Sequence, residues 1–288
     1  MIIDKTICKI CHGECKRYAH TAKCLNCGVL LYYPYPDNDD LANFGTSVHE
    51  KITASWMNWY IRASFLNHTN FTNMFRFAVE RFQSGDALTI LDYGGGGGQF
   101  ALIALSHLLK CRVYITDICD FSLLPSWAPV NQQIRFADFE TDKTRFDLIF
   151  LNDVFEHVSD PSKVLHLMHN KLKENGRLFI DTPKQFWLYP ALRLIAPPLY
   201  RKLLKATVSK AHLQIWSKKA FQNILKKQGF KIVKYKELSE FTMPPEHYLK
   251  NLGISNPLIY LLGILFYRNA KWIARNKIMC VCEKTINC

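Results

Sequence analysis

Five consecutive glycines, Gly94 to Gly98, stand between an apolar run, Thr89-Ile90-Leu91-Asp92-Tyr93, and a helical pattern of apolar residues at Phe100, Ala101, Ile103, Ala104 and Leu108. Glycine loses more backbone freedom on folding than any other residue. A chain accepts five in a row where a ligand must approach bare backbone at the C-terminal end of a strand. The next apolar run, Val113-Tyr114-Ile115-Thr116, ends in Asp117. A carboxylate roughly 20 residues past such a loop sits where it can hold ribose hydroxyls. A tight turn without a ligand is the alternative, and it leaves the preceding strand, the following helix and the acid unexplained. The spacing Gly94-x-Gly96-x-Gly98, with Asp92 two residues ahead, also differs from the Gly-x-Gly-x-x-Gly pattern that seats a pyrophosphate. Asp92 would repel a diphosphate and suits a cationic amino group.

A second constellation lies near the N-terminus. Cys8-Lys9-Ile10-Cys11 and Cys24-Leu25-Asn26-Cys27-Gly28 are two C-x2-C knuckles with 12 residues between them. Each tight turn projects two thiolates, and two such pairs close a tetrahedral site with no open position, which is the pattern of structural zinc. Cys15, His12 and His20 are spare donors nearby. Cys111, Cys119, Cys280, Cys282 and Cys288 show no ligand spacing.

The elements that must position these groups follow from the pattern around them. Strand-like runs occupy Ala87–Tyr93, Cys111–Thr116, Gln133–Phe136, Phe146–Leu151 and Arg177–Thr182, with helical stretches such as Gln99–Leu109 and Pro161–Leu172 between them. Alternating β and α units predict a parallel, doubly wound sheet. A helix over Ser217–Gln228 and strands over Phe230–Glu237 and Ile278–Glu283 complete it. At 288 residues the chain holds one large α/β domain, expected at 86–288, behind a cysteine module at 1–36 and a linker with a covering helix at 37–85. With 49% apolar residues it can bury a sizeable core. Its longest apolar stretch, Pro257 to Tyr267, has 11 residues, short of the ~18 that span a bilayer. No secretory segment precedes Cys8, so a cytoplasmic location is expected, with thiols and metal ligands rather than disulfides. The net charge of +13 is uneven: 184–277 carries +15 and the remainder −2. That asymmetry points to an anionic partner, whether a phosphorylated small molecule, a nucleic acid or the inner membrane face. A merely solvated helix surface is the alternative.

The order of these motifs resembles class I S-adenosylmethionine (SAM) dependent methyltransferases. The glycine loop is similar to their motif I. Phe136-Ala137-Asp138-Phe139 resembles the segment after the third strand, whose acid meets the adenine amino group. Phe146-Asp147-Leu148-Ile149-Phe150-Leu151-Asn152-Asp153-Val154-Phe155-Glu156-His157-Val158, completed by Asp160-Pro161, resembles the fourth strand and its loop. Leu172 to Ile180 resembles the fifth strand, and His212 to Ser217 with Gln228-Gly229-Phe230 the family's tail. The resemblance spans about 86–237 and 277–284. Its implications are a Rossmann-like seven-stranded α/β sheet, helical cap insertions at 183–216 and 238–276, and a cofactor site of Asp92, Gly94, Gly96, Gly98, Asp117, Asp138 and Asn152. It places Asn152 to His157 beside the SAM sulfur, which makes His157 the leading base for the acceptor and His212 a second. A purely pocket-shaping role for His157 is the alternative. Asp153-x-x-Glu156-His157 also resembles the metal-binding acidic cluster of ubiquinone-pathway O-methyltransferases, but with Asp153 in place of Glu no metal is expected there.

With the zinc knuckles, the layout resembles small-molecule methyltransferases of bacterial surface-glycan and secondary-metabolite clusters. The acceptor expected is then an anionic small molecule, such as a lipid-linked or nucleotide-activated sugar, with peripheral membrane contact as a further expectation. An rRNA base methyltransferase remains a rival, although 151–155 lacks the Asn/Asp-Pro-Pro-Tyr/Phe signature; DNA is not expected. A non-catalytic SAM-fold scaffold is the third reading.

Overall fold

The computed structural model describes residues 6–18, 20–35, 70–82, 86–108, 110–118, 130, 132–209, 212–239, 249, 253–270 and 274–285. Most of the linker expected at 37–85, together with Cys119, Lys271 and Cys288, lies outside them.

The central sheet has seven strands in the order β11-β12-β9-β8-β5-β6-β7. Its parallel part comprises β5 (Leu88–Tyr93), β6 (Cys111–Thr116), β7 (Gln132–Gln133), β8 (Phe146–Asn152) and β9 (Leu172–Pro183). The chain starts at the middle with β5, winds outward through β6 and β7, then crosses to β8 and β9. The order therefore reverses between β5 and β8, and in open α/β sheets the ligand crevice lies at the carboxyl ends of strands flanking that reversal. β11 (Phe230–Leu238) and β12 (Lys277–Lys284) add an antiparallel edge, β12 inserting between β11 and β9.

These strands form because they are apolar on both faces. Ile90, Leu91, Leu148, Ile149, Phe150 and Leu151 are all buried, as expected of parallel strands covered by helices on both sides. One cover is α1, over 70–79, whose Met74, Phe75 and Ala78 are buried. Phe75 stacks on Phe150 at 5.9 Å, and Phe71 meets Phe100 of α2 (Gln99–His107) edge-on at 5.5 Å. On the other face α3 (Pro161–Lys171) buries Leu165 and Met168, and α6 (Lys218–Lys227) buries Phe221, Ile224 and Leu225. Asp160 and Ser217 begin these two helices by accepting from Lys163 N–H at 2.9 Å and Ala220 N–H at 3.0 Å, which satisfies donors that a helix start otherwise leaves unpaired.

Three expectations shift. Gln133–Phe136 is not a strand: β7 has two residues, and Phe136–Asp138 is a 3-10 turn closed by the Arg135–Asp138 ion pair at 2.7 Å. β9 begins at Leu172, not Arg177, because Leu172 pairs with Phe146 before a register break. The helices expected to end at Leu109 and Leu172 stop at His107 and Lys171.

The N-terminal residues form a second sheet from β1 (Thr6–Ile7), β2 (Glu14–Tyr18), β3 (Thr21–Cys24) and β4 (Leu30–Tyr32). Its fifth strand is β10 (Gln214–Ile215), donated by the large domain and antiparallel to β4. Two further helices, α4 (Tyr189–Ile195) and α5 (Pro197–Thr207), occupy the 183–216 insertion, and α7 (Pro257–Ala270) lies in the 238–276 insertion.

Candidate functional site

The glycine loop follows β5 directly. Gly94, Gly96 and Gly98 have φ of 68°, 49° and 78°, a left-handed region that costs any residue with a Cβ. Gly94 is required for a second reason: a Cβ there would lie 2.6 Å from Val154 in the β8–α3 loop. At Gly95 it would lie 2.7 Å from Ile115. The loop is pinned to the end of β6, since Gly94 and Gly95 N–H both donate to Thr116 O at 2.8 and 3.2 Å.

Two acids brace this loop. Asp117 Oδ2 accepts from Gly96 N–H at 2.9 Å. Asp92 is only 3% exposed, and its Oδ2 accepts from Ala101 N–H at 3.2 Å in the first turn of α2. Burial pushes the Asp92 carboxyl up to about 7, a rise that the Ala101 bond opposes and the Asp117 charge reinforces. Asn152 closes the other side at the end of β8, where its buried Oδ1 has no hydrogen-bond partner among the described residues. Thr116 Oγ1, at the end of β6, is buried in the same condition. Asp138 is half-exposed and paired with Arg135.

The strand ends thus offer a glycine cradle, an acid behind it and unsatisfied acceptors, a donor set that fits a nucleoside carrying a cationic amino-acid tail. An unpaired buried polar atom costs about 1–3 kcal/mol, so Asn152 Oδ1 is better satisfied by a donor from a ligand. In SAM such donors are the amino group and the hydroxyls.

Further along the loop that carries Val154 lies a second group. His157 is exposed, and its ring stands 5.0 Å from that of His212, tilted by 51°. His212 Nδ1 lies 3.2 Å from Thr207 O. A carbonyl only accepts, so Nδ1 carries the proton and Nε2 keeps its lone pair. Burial lowers the His212 pKa to about 4, with the neighbouring His157 adding to the effect, so the ring is neutral near pH 7. Beneath them Glu156 is buried; its Oε1 lies 3.8 Å from His157 Nε2 and its Oε2 accepts from Thr182 Oγ1 at 3.0 Å. Burial, and then the charge of Asp153, raise its pKa well above the usual carboxylate range. One ligand atom from each of Glu156, His157 and His212 falls within 4.8 Å of the others. Lys277 Nζ joins Asp153 at 3.0 Å and Asp181 at 2.6 Å. Sequence reading counted Lys277 only among the cations of the basic 184–277 segment and did not single out Asp181, whose one signal was an acid closing the apolar run Leu178-Phe179-Ile180-Asp181.

The four knuckle cysteines also converge. Their sulfurs all lie within 4.8 Å of one another, with Cys11–Cys24 at 3.4 Å and Cys8–Cys27 at 3.8 Å. A tetrahedral ion bonded to sulfur at ~2.3 Å requires S···S edges of ~3.8 Å. Ile10 and Cys27 N–H point at Cys8 and Cys24 sulfur at 3.4 and 3.3 Å, as thiolates prefer. Cys15 is outside the quartet and bonds Gly13 O. The module is tied to the β8–α3 loop: Tyr35 Oη donates to Gln214 Oε1 at 2.7 Å, and Gln214 Nε2 donates to Phe155 O at 2.7 Å.

Strand order, glycine loop and acid together define the class I SAM-dependent methyltransferase fold. A family model described as a methyltransferase domain matches residues 65–235, and the chain belongs to that family. Among curated proteins it is similar to (S)-coclaurine N-methyltransferase of Papaver somniferum, 29% identical over 116 residues (36% of this chain, 32% of that protein). It is likewise similar to ubiquinone biosynthesis O-methyltransferase of Hydrogenovibrio crunogenus, 29% identical over 115 residues (36% of this chain, 46% of that protein). The matches thus span about a third and just under half of those relatives. Among solved structures the fold resembles 1,6-didemethyltoxoflavin-N1-methyltransferase of Burkholderia thailandensis with bound S-adenosylhomocysteine, at TM-score 0.54 and 14% identity over 93% of this chain and 97% of that one. Magnesium protoporphyrin IX methyltransferase of Synechocystis, also with bound S-adenosylhomocysteine, gives TM-score 0.53 and 14% identity over 83% and 99%.

Proposed function

We propose that this protein transfers the methyl group of SAM to an oxygen or carbon of a small anionic acceptor, such as a nucleotide-activated or lipid-linked sugar. The carrying observation is that one loop serves both groups: Val154 of the β8–α3 loop packs on Gly94, and three residues further along it His157 faces His212. SAM, when bound, supplies a methyl group already activated on a sulfonium. The chain's own residues then have two tasks, to hold the reactants in line and to receive one proton. Gly94, Gly96, Gly98, Asp117 and Asn152 hold the nucleoside and amino-acid parts, Asp138 is assigned to the adenine side, and Asp92 sets the charge behind the loop. His212 is oriented by Thr207 O with Nε2 free to accept the acceptor's proton, and His157 beside it can pass that proton to solvent. Burial that keeps His212 neutral at pH 7 keeps this lone pair available.

The cysteine quartet is assigned to one structural zinc ion. It fixes the β1–β4 sheet, whose pairing with β10 positions the segment that carries His212.

The anionic character of the acceptor rests on the +15 carried by 184–277. A membrane-surface location is favoured by one observation. Helix α7 exposes Leu258, Ile259, Leu261, Leu262, Leu265 and Phe266, which at 100° per residue form one continuous face of ~160°. Such a face beside basic residues suits peripheral contact with anionic lipid. No described helix is long and apolar enough to cross a membrane.

The test is formation of S-adenosylhomocysteine from SAM with purified protein and three acceptor pools: nucleotide sugars, lipid-linked sugars and ribosomal RNA. Turnover confined to a sugar pool, and reduced about 100-fold or more in His212→Ala, supports the proposal. Turnover with RNA alone replaces the acceptor class, and SAM binding without turnover on any pool favours a binding scaffold.

A further inference from the structure

A cleft of about 480 Å³ opens between the N-terminal sheet, α4 and the start of α6, and shares no residue with the glycine loop or the histidine pair. Four cations line it: Lys16 of β2, Lys23 of β3, Arg193 of α4 and Lys219 of α6. No Asp or Glu is among its described lining residues, and none of the four cations is ion-paired within the described part of the chain.

Two of these cations oppose each other across the sheet, although Lys16 Nζ also lies 5.8 Å from the Tyr18 ring. Lys16 and Lys23 are direct partners in the β2–β3 register, so two ammonium side chains share one face of the sheet. Like charges at directly opposed positions disfavour strand pairing. Arg193 adds a third charge at the same place, its Nη1 3.5 Å from Tyr18 Oη, and Tyr18 follows Lys16 on that face of β2. Lys219 Nζ is fixed on Asn26 O at 3.0 Å. Ser217 Oγ, which caps α6, also donates to Cys27 O at 2.6 Å and holds the positive end of that helix against the cysteine knuckle.

We propose that this cleft binds a phosphate-bearing small molecule, with the phosphate held by Lys16, Lys23, Arg193 and Lys219. An anion among them turns mutual repulsion into attraction, and the planar guanidinium of Arg193 suits two phosphate oxygens at once. Charge still favours an anion if the quartet holds a divalent ion as four thiolates: that unit carries −2 and leaves +2 of the four cations uncompensated. Tyr18 and Asn26 supply neutral hydrogen-bonding groups at the edge. The volume lies in the range of small-molecule sites, ~300–1,000 Å³, and suits a diphosphate with one attached group. The inference does not depend on the proposed methyl transfer.

The test uses the zinc-loaded full chain and inorganic pyrophosphate, titrated calorimetrically at low and high salt. Saturable binding is expected, weakening with salt as charge-driven binding does. Arg193→Gln with Lys219→Gln is expected to weaken it at least about 10-fold while SAM affinity stays unchanged. Both positions are exposed, so folding is not at stake. Lys16→Gln supplies an independent reading: it should raise the thermal midpoint in phosphate-free buffer and lose that advantage when pyrophosphate is added. Where pyrophosphate binds, tighter binding of a nucleoside diphosphate assigns the site to a soluble ester, and tighter capture of vesicles carrying a phosphomonoester lipid assigns it to a headgroup. No saturable binding below about 1 mM, or binding that the double substitution leaves intact, overturns the proposal.

Discussion

Asp92 is the residue at which stability and ligand binding should pull apart. It is almost fully buried behind the glycine loop, and burial holds its carboxyl at about 7 against an ordinary value of 3.8. For an acid, a raised native pKa means that stability is full below the unfolded pKa and is lost as pH rises through the native one. The shift of about 3 pKa units corresponds to roughly 4 kcal/mol between those limits. Between about pH 5.5 and 8.5, close to 1.5 units of it fall, or roughly 2 kcal/mol. Asp92→Asn keeps an acceptor for Ala101 N–H but cannot ionise. Its stability relative to the parent, from urea unfolding monitored by circular dichroism, should therefore rise by roughly 2 kcal/mol over that interval. The same variant should bind SAM more weakly, because the charge that faces a cationic amino group is gone. Binding to the parent should also release a proton near pH 7, visible as a calorimetric heat that depends on the buffer's ionisation enthalpy. A stability difference that stays flat with pH, together with unchanged SAM affinity, refutes this account of Asp92.

Further outcomes follow from the same geometry. The purified protein should contain one equivalent of zinc, and chelation or Cys24→Ser should unfold the 6–35 region before the large domain, as read by hydrogen exchange; a metal-free protein still protected there contradicts the assignment. Gly94→Val should cost about 2–5 kcal/mol in urea unfolding, since it adds left-handed strain and a side chain overlapping Val154; a loss under about 1 kcal/mol would show the loop to be looser than described. Leu258→Asp with Leu262→Asp, at positions 66% and 56% exposed, should abolish sedimentation with anionic vesicles and barely change stability; vesicle binding that survives removes α7 as the contact.

The parts of the site legible in the sequence were those whose chemistry is local. Five glycines before a helix state a backbone requirement, and three of them do take positive φ. The position of Asp117 beside the glycine loop was readable because the parallel order places the end of β6 beside the end of β5, and the knuckle spacing foretold the sulfur cluster. Of the 56–83 segment read as helix, residues 70–82 are described, and 70–79 of these are helical. What the sequence hid depends on distant segments. Lys277 meets Asp153 and Asp181 only because β12 inserts beside β9. His212 reaches His157 because Leu213 N–H donates to Glu156 O at 2.9 Å. β10 is two residues long and carries no periodicity of its own; it exists because β4 offers it an edge. For Asp92 the spacing suggested a ligand-facing acid, and it gave no sign of the bond that the buried carboxylate also accepts from Ala101 N–H of α2.

Isothermal titration of SAM into the parent protein and into Asp117→Ala tests the central claim most directly. Asp117 touches the glycine loop through Gly96 N–H and is assigned the ribose hydroxyls, a charge-assisted bond worth about 1.5–3 kcal/mol. The account predicts one SAM bound per chain of the parent, and an affinity lower by roughly 10- to 150-fold in the variant with its fold intact by circular dichroism. Equal affinity in the two proteins, or no binding to the parent, would contradict it.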